Sequence, residues 1–188
     1  KKASFNILFY IGGGGDFKKY IEFLICLSKK IKNKKNYKIK IICGPLAASK
    51  KSLFEINDAN NNIEVINNNF NISKILQNTD LYIGVSSSII YELSYLNILS
   101  VIFPTRKNQK NNILDLQDLG FNFLINNKDL VLNPKKTVKF LMLLIKNKKR
   151  FKNENNEIKI DKKGSKRIVN CILGNLKFRI LKLESNIK

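Results

Sequence analysis

Three consecutive serines with a glutamate close behind form the first group of side chains in this chain that could do chemistry. Ser86, Ser87 and Ser88 follow an apolar run at residues 81–85, and Glu92 falls about one turn into a helical pattern. Serines at a helix start cap free N–H groups, and the remaining N–H groups with the helix dipole suit a phosphate. The Glu92 carboxylate would suit a pair of sugar hydroxyls, so the two features together describe a nucleotide.

An ordinary capped helix with a solvated glutamate explains the same spacing, and we give the two interpretations about equal weight. A second apolar run at residues 99–103 completes a strand, turn, helix and strand. In a parallel sheet the serine turn would lie at the carboxyl ends of the strands, where ligands bind in open α/β folds. That position is what makes the nucleotide interpretation worth testing.

Four consecutive glycines form a second candidate loop. Residues 5–11 predict a buried strand, residues 12–15 are all glycine, and Asp16 can cap the helix that the following apolar pattern predicts. A turn without Cβ atoms lets the backbone close on a phosphate or on a facing domain. The run matches neither the dinucleotide-binding pattern G-x-G-x-x-G nor a P-loop. A tight strand-to-helix turn explains it equally well.

Strands and helices alternate along the rest of the chain. We expect further strands at residues 38–43, 63–66 and 121–125, and further helices at residues 46–56, 72–76, 113–119, 137–145 and 165–173, the last ended by Gly174. Such alternation predicts an α/β fold with an open, mostly parallel six-stranded sheet and helices on both faces. Residues 1–174 are expected to form this one domain, and residues 175–188 a C-terminal helix or tail.

Composition excludes several classes of function. The 188 residues are 44% hydrophobic, enough for one domain with a real core, and no apolar run approaches the roughly 20 residues of a membrane span. The chain has no histidine, the commonest general base and metal ligand, and its three cysteines form no CxxC pair. We therefore expect no metal, no cofactor and reduced thiols. Together with the missing signal-peptide pattern, this predicts a cytoplasmic location.

The net charge of +21 is unevenly distributed. Residues 53–105, which include the serine turn, hold one lysine against five carboxylates. Nucleic-acid binding is one explanation of the positive charge elsewhere. A general bias toward Lys, Asn and Ile is the favoured explanation, because the asparagine runs serve no phosphate contact. We expect no specific nucleic-acid partner, while a weak peripheral association with an anionic membrane stays open.

Four segments, in order, resemble the C-terminal, nucleotide-binding half of GT-B-fold enzymes of the MurG-like group. The segments are residues 11–16, residues 80–92, the pair Asn108 and Gln109, and residues 160–168. They look like the family's Gly-Gly-x-Asp, its strand with a small-residue turn and Glu, its Asn-Gln, and its closing Asp-Gly-x-Gly-x-x-Arg-Ile. The nearest resemblance is to the UDP-sugar hydrolases of pseudaminic acid biosynthesis and the related spore-coat polysaccharide proteins. It implies a Rossmann-like domain.

The resemblance also implies a binding site. Glu92 would hold the ribose hydroxyls of UDP, the serine turn would donate to its diphosphate, and the glycine run would lie at the cleft between two domains. The residues so implied to bind the nucleotide sugar are Gly13, Gly14, Gly15, Asn68, Asn69, Ser86, Ser87, Ser88, Glu92, Asn108 and Gln109. Among them, the loop with Asn68 and Asn69 would meet the uracil through its backbone.

The catalytic histidine of that family lies in an N-terminal domain, and this chain has neither. No catalytic residue is therefore expected here, and the missing N-terminal GT-B domain is an expected partner. We expect the chain to bind the UDP part of a nucleotide sugar as the C-terminal half of a UDP-sugar hydrolase in surface-glycan biosynthesis. One alternative is the donor-binding domain of a GT-B glycosyltransferase. The other is a basic module that binds nucleic acid or an anionic surface.

Overall fold

A computed structural model of the chain describes residues 4–32, 36–67, 71–105, 109, 122–148, 161 and 163–185. The chain divides into two compact units, residues 1–158 and residues 159–188. Among the described residues, all strands lie in the first unit, and the second contains one long helix. The expected domain boundary at residue 174 stays a prediction.

The first unit is built around one six-stranded sheet. Its strands and those of a small two-stranded sheet are β1 (Phe5–Tyr10), β2 (Gly14–Asp16), β3 (Tyr37–Cys43), β4 (Leu46–Ala48), β5 (Ile63–Asn67), β6 (Leu81–Val85), β7 (Leu99–Phe103) and β8 (Asn122–Leu124). The helices are α1 (Ile21–Ile31), α2 (Lys50–Asp58), α3 (Ile72–Gln77), α4 (Ile89–Tyr95), α5 (Asn127–Leu132) and α6 (Pro134–Lys146), with a 3-10 turn at Phe17–Tyr20. Helix α7 (Gly164–Ser185) forms the second unit.

The strand order of the main sheet is β5-β3-β1-β6-β7-β8, and all of its described pairings are parallel. Counting only the strands of this sheet, the order is 3-2-1-4-5-6, that of a Rossmann-like fold. The predicted six-stranded α/β sheet is therefore confirmed. The order reverses between β1 and β6, so the crevice that binds ligands in such folds lies at the carboxyl ends of these two strands.

Helices cover the sheet on both faces. Alternate strand residues such as Ile7, Phe9 and Ile83 form one buried cluster with α1, α2, α5 and α6. Intervening residues such as Leu8 and Ile102 are also buried but lie outside that cluster, as do the buried residues of α3 and α4. Because successive side chains of a strand point to opposite faces, α3 and α4 form the second layer.

Aromatic packing fixes the start of α1 directly below the glycine run. The ring of Phe9 on β1 lies 6.3 Å from that of Phe17, 5.6 Å from that of Tyr20 and 6.0 Å from that of Phe23. Phe17 and Phe23 are fully buried. Tilted aromatic pairs at these separations add to the free energy of burial. The turn after β1 is therefore anchored to the core by the residues that follow it.

Residues 46–48 do not begin a helix, contrary to our expectation for residues 46–56. They form β4, which pairs in parallel with β2, so that Gly14 lies beside Leu46 and Asp16 beside Ala48. Ser49 follows with a left-handed φ of 59°, and α2 begins at Lys50. The peptide groups of residues 46–48 have hydrogen-bonding partners in the glycine run, which is why the helix starts late.

Helix α5 has no counterpart among the expected elements. Asn126 caps it, since its Oδ1 accepts a hydrogen bond from the backbone N–H of Lys128 at 3.0 Å. The expected helix at residues 113–119 lies outside the described residues. The expected strand at residues 121–125 is present as β8, and the expected helix at residues 137–145 as the longer α6.

Helix α7 continues through Gly174, so the stop predicted there is wrong. A glycine inside a helix costs about 1 kcal/mol relative to alanine, which weakens a helix without ending it. Near its start, Asp161 accepts a hydrogen bond from the Arg167 guanidinium at 2.9 Å. This bond lowers the pKa of Asp161. Across the described residues, no helix combines the length and hydrophobicity that a membrane crossing requires.

Candidate functional site

The two loops singled out in the sequence meet at the point where the strand order reverses. The glycine loop, residues 12–15, follows β1, and the serine turn, residues 86–88, follows β6. Tyr10 and Gly84 are paired across these two strands. Gly12, with a left-handed φ of 90°, passes so near the end of β6 that an added Cβ would lie 3.7 Å from Val85 Cγ2. The crevice between β1 and β6 is therefore bordered by both loops.

The glycine loop rests on the backbone that follows β3. The N–H of Leu46 donates to the carbonyl oxygen of Gly13 at 3.0 Å. A Cβ added at Gly44 would lie 2.6 Å from the carbonyl carbon of Gly13 and 2.7 Å from its Cα, both backbone atoms. A Cβ added at Gly13 itself would meet no heavy atom within 4 Å. One side of the loop is thus in close contact with the β3–β4 connection, and its other side is open.

Asp16 ends the glycine loop as a helix cap. Its Oδ1 accepts hydrogen bonds from the Ser49 hydroxyl at 2.7 Å and from the N–H of Lys18 at 3.0 Å. These bonds lower the pKa of Asp16, the one from Ser49 most and the one from Lys18 next. A carboxylate held in its ionised form by two donors is a poor general base. The structure therefore agrees with the capping role expected of Asp16.

The serine turn is less tightly fixed by its own side chains. Ser86 is buried, whereas Ser87 and Ser88 are exposed. The N–H of Ile89 reaches Ser87 Oγ only at 3.5 Å, and within the described residues the Ser88 hydroxyl forms no capping bond. The expectation that these serines cap α4 through their side chains is thus met only by one long contact. Ser87 and Ser88 are therefore the exposed residues of the turn, beside the end of β6.

Tyr82 supports both loops from inside the sheet, a role that sequence reasoning missed. Its side chain is fully buried, and its hydroxyl lies 3.1 Å from the carbonyl oxygen of Val85 and 3.4 Å from that of Tyr10. Burial raises the pKa of Tyr82. Gly84 makes room for this ring, since a Cβ there would lie 2.6 Å from Tyr82 Cζ and would also clash with the carbonyl oxygen of Tyr10.

A signal for this arrangement was present in the sequence. A tyrosine in the middle of a fully apolar strand must find an acceptor for its hydroxyl when it is buried. The glycine two residues later lies on the same face of the strand, because side chains alternate. Tyr82 and Gly84 together therefore indicate a buried hydroxyl that reaches the strand end.

Glu92 lies on the first turn of α4 with its side chain exposed. In the part of the chain that the structure describes, its carboxylate has no ion-pair or hydrogen-bond partner. Gln109 follows β7 in sequence, and its Oε1 accepts hydrogen bonds from the N–H of Thr105 at 2.8 Å and from the Thr105 hydroxyl at 3.1 Å. Because β7 is the neighbour of β6, Gln109 lies at the same edge of the sheet.

Three of the expected site residues, Asn68, Asn69 and Asn108, lie outside the described residues. Among the residues that are described, no three histidines, cysteines, aspartates or glutamates converge as metal ligands. Among the described residues, the arrangement therefore offers two exposed loops and a Glu92 carboxylate without a partner, while Asp16 caps a helix. Such a set of groups is chemically suited to a phosphorylated, hydroxyl-bearing ligand.

A parallel sheet whose strand order reverses between β1 and β6 defines the class of the protein, a Rossmann-like α/β fold with its ligand crevice at the carboxyl ends of these strands. The chain belongs to the glycosyltransferase family 28 C-terminal domain family, whose model matches residues 7–170. This confirms the resemblance to the C-terminal half of GT-B enzymes. No curated protein matches the chain.

Solved structures of similar fold support the same assignment. MurG from Acinetobacter baumannii has a TM-score of 0.67 at 18% identity, over 91% of this chain and 50% of that one. S. aureus MnaA, solved with UDP, has a TM-score of 0.67 at 15% identity, over 93% and 46%. UDP-GlcNAc 2-epimerase from Neisseria meningitidis, solved with UDP-GlcNAc, has a TM-score of 0.59 at 16% identity, over 93% and 45%. This chain thus spans about half the length of each.

Proposed function

We propose that this chain binds the UDP part of a nucleotide sugar and is the donor-binding half of a glycosyltransferase. The observation that carries the proposal is that the glycine loop, the serine turn and α4 meet at the crevice between β1 and β6. Within the described part of the chain, Glu92 on α4 has no partner. Family membership supports glycosyl transfer. Two proteins of similar fold were solved with UDP or UDP-GlcNAc, which supports the choice of nucleotide.

Each part of the crevice has a proposed role. Backbone N–H groups and hydroxyls of Ser86, Ser87 and Ser88 hold the diphosphate, because donors at the start of a helix suit an anion. Glu92 accepts hydrogen bonds from the two ribose hydroxyls, a role that an exposed carboxylate without a partner can fill. The loop with Asn68 and Asn69 meets the uracil through its backbone.

The sugar is proposed to extend from the serine turn toward the glycine loop. Gly13, Gly14 and Gly15 would face it from the open side of their loop, and Asn108 and Gln109 from the loop after β7. In the proposed reaction an acceptor hydroxyl attacks the anomeric carbon of the sugar. The bond between that carbon and the diphosphate oxygen breaks, and UDP leaves. The base that takes the acceptor proton would come from an N-terminal domain.

A UDP-sugar hydrolase is a second candidate, with water in place of the acceptor hydroxyl. Its substrate would be an amino-sugar nucleotide from the biosynthesis of pseudaminic acid or a related surface glycan. The sequence resemblance, which is nearest to those hydrolases, supports it, although residues 161–164 depart from the Asp-Gly-x-Gly of the closing motif Asp-Gly-x-Gly-x-x-Arg-Ile. In the structure the two charged ends of that motif, Asp161 and Arg167, bond to each other. The proposed location for either reaction is the cytoplasm, in keeping with the free thiols of Cys26, Cys43 and Cys171.

Calorimetric titration of the chain with UDP tests the proposal. We expect saturable binding that Glu92→Ala weakens roughly 10- to 150-fold, since hydrogen bonds to a charged group contribute about 1.5–3 kcal/mol. The matched control is Glu55→Ala, which removes an exposed carboxylate from α2 and should leave the affinity unchanged. An affinity for UDP that Glu92→Ala leaves unchanged would reject the UDP site. Binding of other polyanions with equal affinity, lost at high salt, would also reject it.

A further inference from the structure

The outer face of α6 is strongly basic. Its exposed residues include Lys135, Lys136, Lys139 and Lys146, and the helix contains no carboxylate. Leu143 lies among these lysines with 55% of its side chain exposed. A helix whose exposed side combines lysines with an apolar residue is typical of protein surfaces that lie against a membrane.

Helix α1 adds two more lysines across a groove. A cavity of about 440 Å³ between α1 and α6 is lined by Cys26, Lys29, Lys30, Lys135, Val138 and Lys139. Cys26 and Val138 form an apolar floor, and every charged side chain named in this lining is a lysine. Among the described residues, none of these four lysines has a carboxylate within ion-pair distance. The groove therefore holds at least four uncompensated positive charges around apolar atoms.

The opposite helical layer lacks this character. Helices α3 and α4 together carry one lysine, Lys74, and one glutamate, Glu92. Lys40 of β3 pairs with Glu64, and Lys148, just after α6, pairs with Asp80. The surface formed by α1 and α6 differs from the opposite layer in the number of lysines that it brings together around an exposed leucine.

We propose that the α1/α6 face, defined by Lys29, Lys30, Lys135, Lys136, Lys139, Leu143 and Lys146, docks on a bilayer that contains anionic phospholipid. Lysines near such a surface are attracted to its negative potential, each raising the partitioning about fivefold. The exposed Leu143 meets the acyl boundary. A nucleic acid would use the lysines but not this apolar side chain. The inference concerns a surface away from the crevice and does not depend on the proposed UDP site.

Vesicle sedimentation with the full chain tests this docking surface. Vesicles of phosphatidylcholine with phosphatidylglycerol should bind the chain, and vesicles of phosphatidylcholine alone should not. Replacing Lys29, Lys30, Lys135 and Lys139 with glutamine should lower the partition coefficient more than about 100-fold, because four lysine contributions are lost. Leu143→Ser should lower it a few-fold while leaving the dependence on salt unchanged, because the charges remain.

A charge-matched control separates the surface from the overall charge. Replacing Lys51, Lys74, Lys128 and Lys163 with glutamine removes the same charge from other exposed positions and should change the partitioning no more than twofold. Equal losses in the two variants would overturn the proposal, as would failure of the wild-type chain to bind anionic vesicles. Tighter binding to single-stranded DNA than to vesicles, lost in the same groove variant, would reassign the face to nucleic acid. Unchanged circular dichroism and unfolding midpoints would show that both variants fold.

Discussion

The two loops that meet at the crevice are held in place in opposite ways. The glycine loop is held by main chain, through the pairing of β2 with β4 and the bond from Leu46 to Gly13. The serine turn has no partner strand among the described residues. The carbonyls of Ser87 and Ser88 accept the first backbone bonds of α4, and the buried Tyr82 hydroxyl supports the end of β6 from below. A loop held by a neighbouring backbone is sensitive to any added Cβ atom at its contact, whereas a turn supported by a side chain is sensitive to changes around that side chain.

The difference also suits the two loops to different proposed roles in ligand binding. The path of the glycine loop is fixed by its contact with the β3–β4 connection, and its other side is open. A ligand can therefore lie against the loop without the loop having to move. The serine turn carries two exposed hydroxyls and no strong capping bond from them, so its donors can turn toward a ligand. The following predictions separate the two modes of support, from the largest expected effect to the smallest.

Gly84→Ala should have the largest effect, because it acts on the support below the serine turn. The added Cβ would clash with both the Tyr10 carbonyl and the Tyr82 ring. We expect a loss of about 3 kcal/mol in the free energy of unfolding, the upper range for overpacking, measured by urea denaturation. Tyr82→Phe alone should lose about 1 kcal/mol, since it removes one buried hydrogen bond.

The double variant distinguishes the two clashes. Tyr82→Phe removes the hydroxyl that crowds the new methyl group, so the two losses should be less than additive. Full additivity would mean that the tyrosine hydroxyl is not part of the strain. Wild-type stability of Gly84→Ala would contradict the close packing of Tyr82 against residue 84.

Gly44→Ala should disturb the glycine loop. Its Cβ would press on backbone atoms of Gly13, and we expect a loss of about 2 kcal/mol in the free energy of unfolding. Gly13→Ala is the matched control, because a Cβ there meets open space and should leave the stability close to wild type. Equal losses in the two variants would show that the loop does not rest on the β3–β4 connection.

Ser49→Ala, which removes the hydrogen bond to Asp16, should have the smallest effect on the free energy of unfolding, and this effect should depend on pH. The lowered pKa of Asp16 means that its bond with Ser49 stabilises the fold above the ordinary aspartate pKa of about 3.9 and is lost as the pH falls through the lowered value. In Ser49→Ala the pKa of Asp16, followed by NMR, should rise toward its ordinary value. Stability should then depend less steeply on pH in the acid range.

Ser49→Gly is the control for the backbone at this position. Both variants lose the hydroxyl, but glycine also adopts the left-handed φ of 59° without strain. Ser49→Gly should therefore be more stable than Ser49→Ala by about 1 kcal/mol. The reverse order would argue that the left-handed conformation of Ser49 is not strained.

Local patterns predicted the main sheet, and they failed where structure depends on distant partners. The apolar runs at residues 81–85 and 99–103 are strands because burial on both faces requires continuous hydrophobicity. The three-residue strands β2 and β4 are too short to show any period, and they exist only because two loops distant in sequence lie side by side. The glycine loop and serine turn were recognisable from composition. Of their supports, Tyr82 with Gly84 left a signal in the sequence, whereas the role of Gly44 needed the three-dimensional pairing.

Helix ends were also difficult to predict from the sequence. Gly174 has the residue type that favours a helix C-terminus, yet α7 continues through it. Ser88 reads as a cap, yet its hydroxyl makes no such bond with the described residues. By contrast, Asp16 and Asn126 cap as their residue types favour, because the first N–H groups of the next turn lie within reach of each side chain.

The position of β1 at the centre of the sheet has a consequence for the order in which the chain folds. Its Ile7 pairs with Ile39 on one side and with Leu81 on the other, so one partner is synthesised much later. Pairings between distant segments form slowly, and until then β1 presents an open edge on which another nascent chain can add a strand. The crevice between β1 and β6 is thus among the last features to form, and aggregation during synthesis competes with its completion.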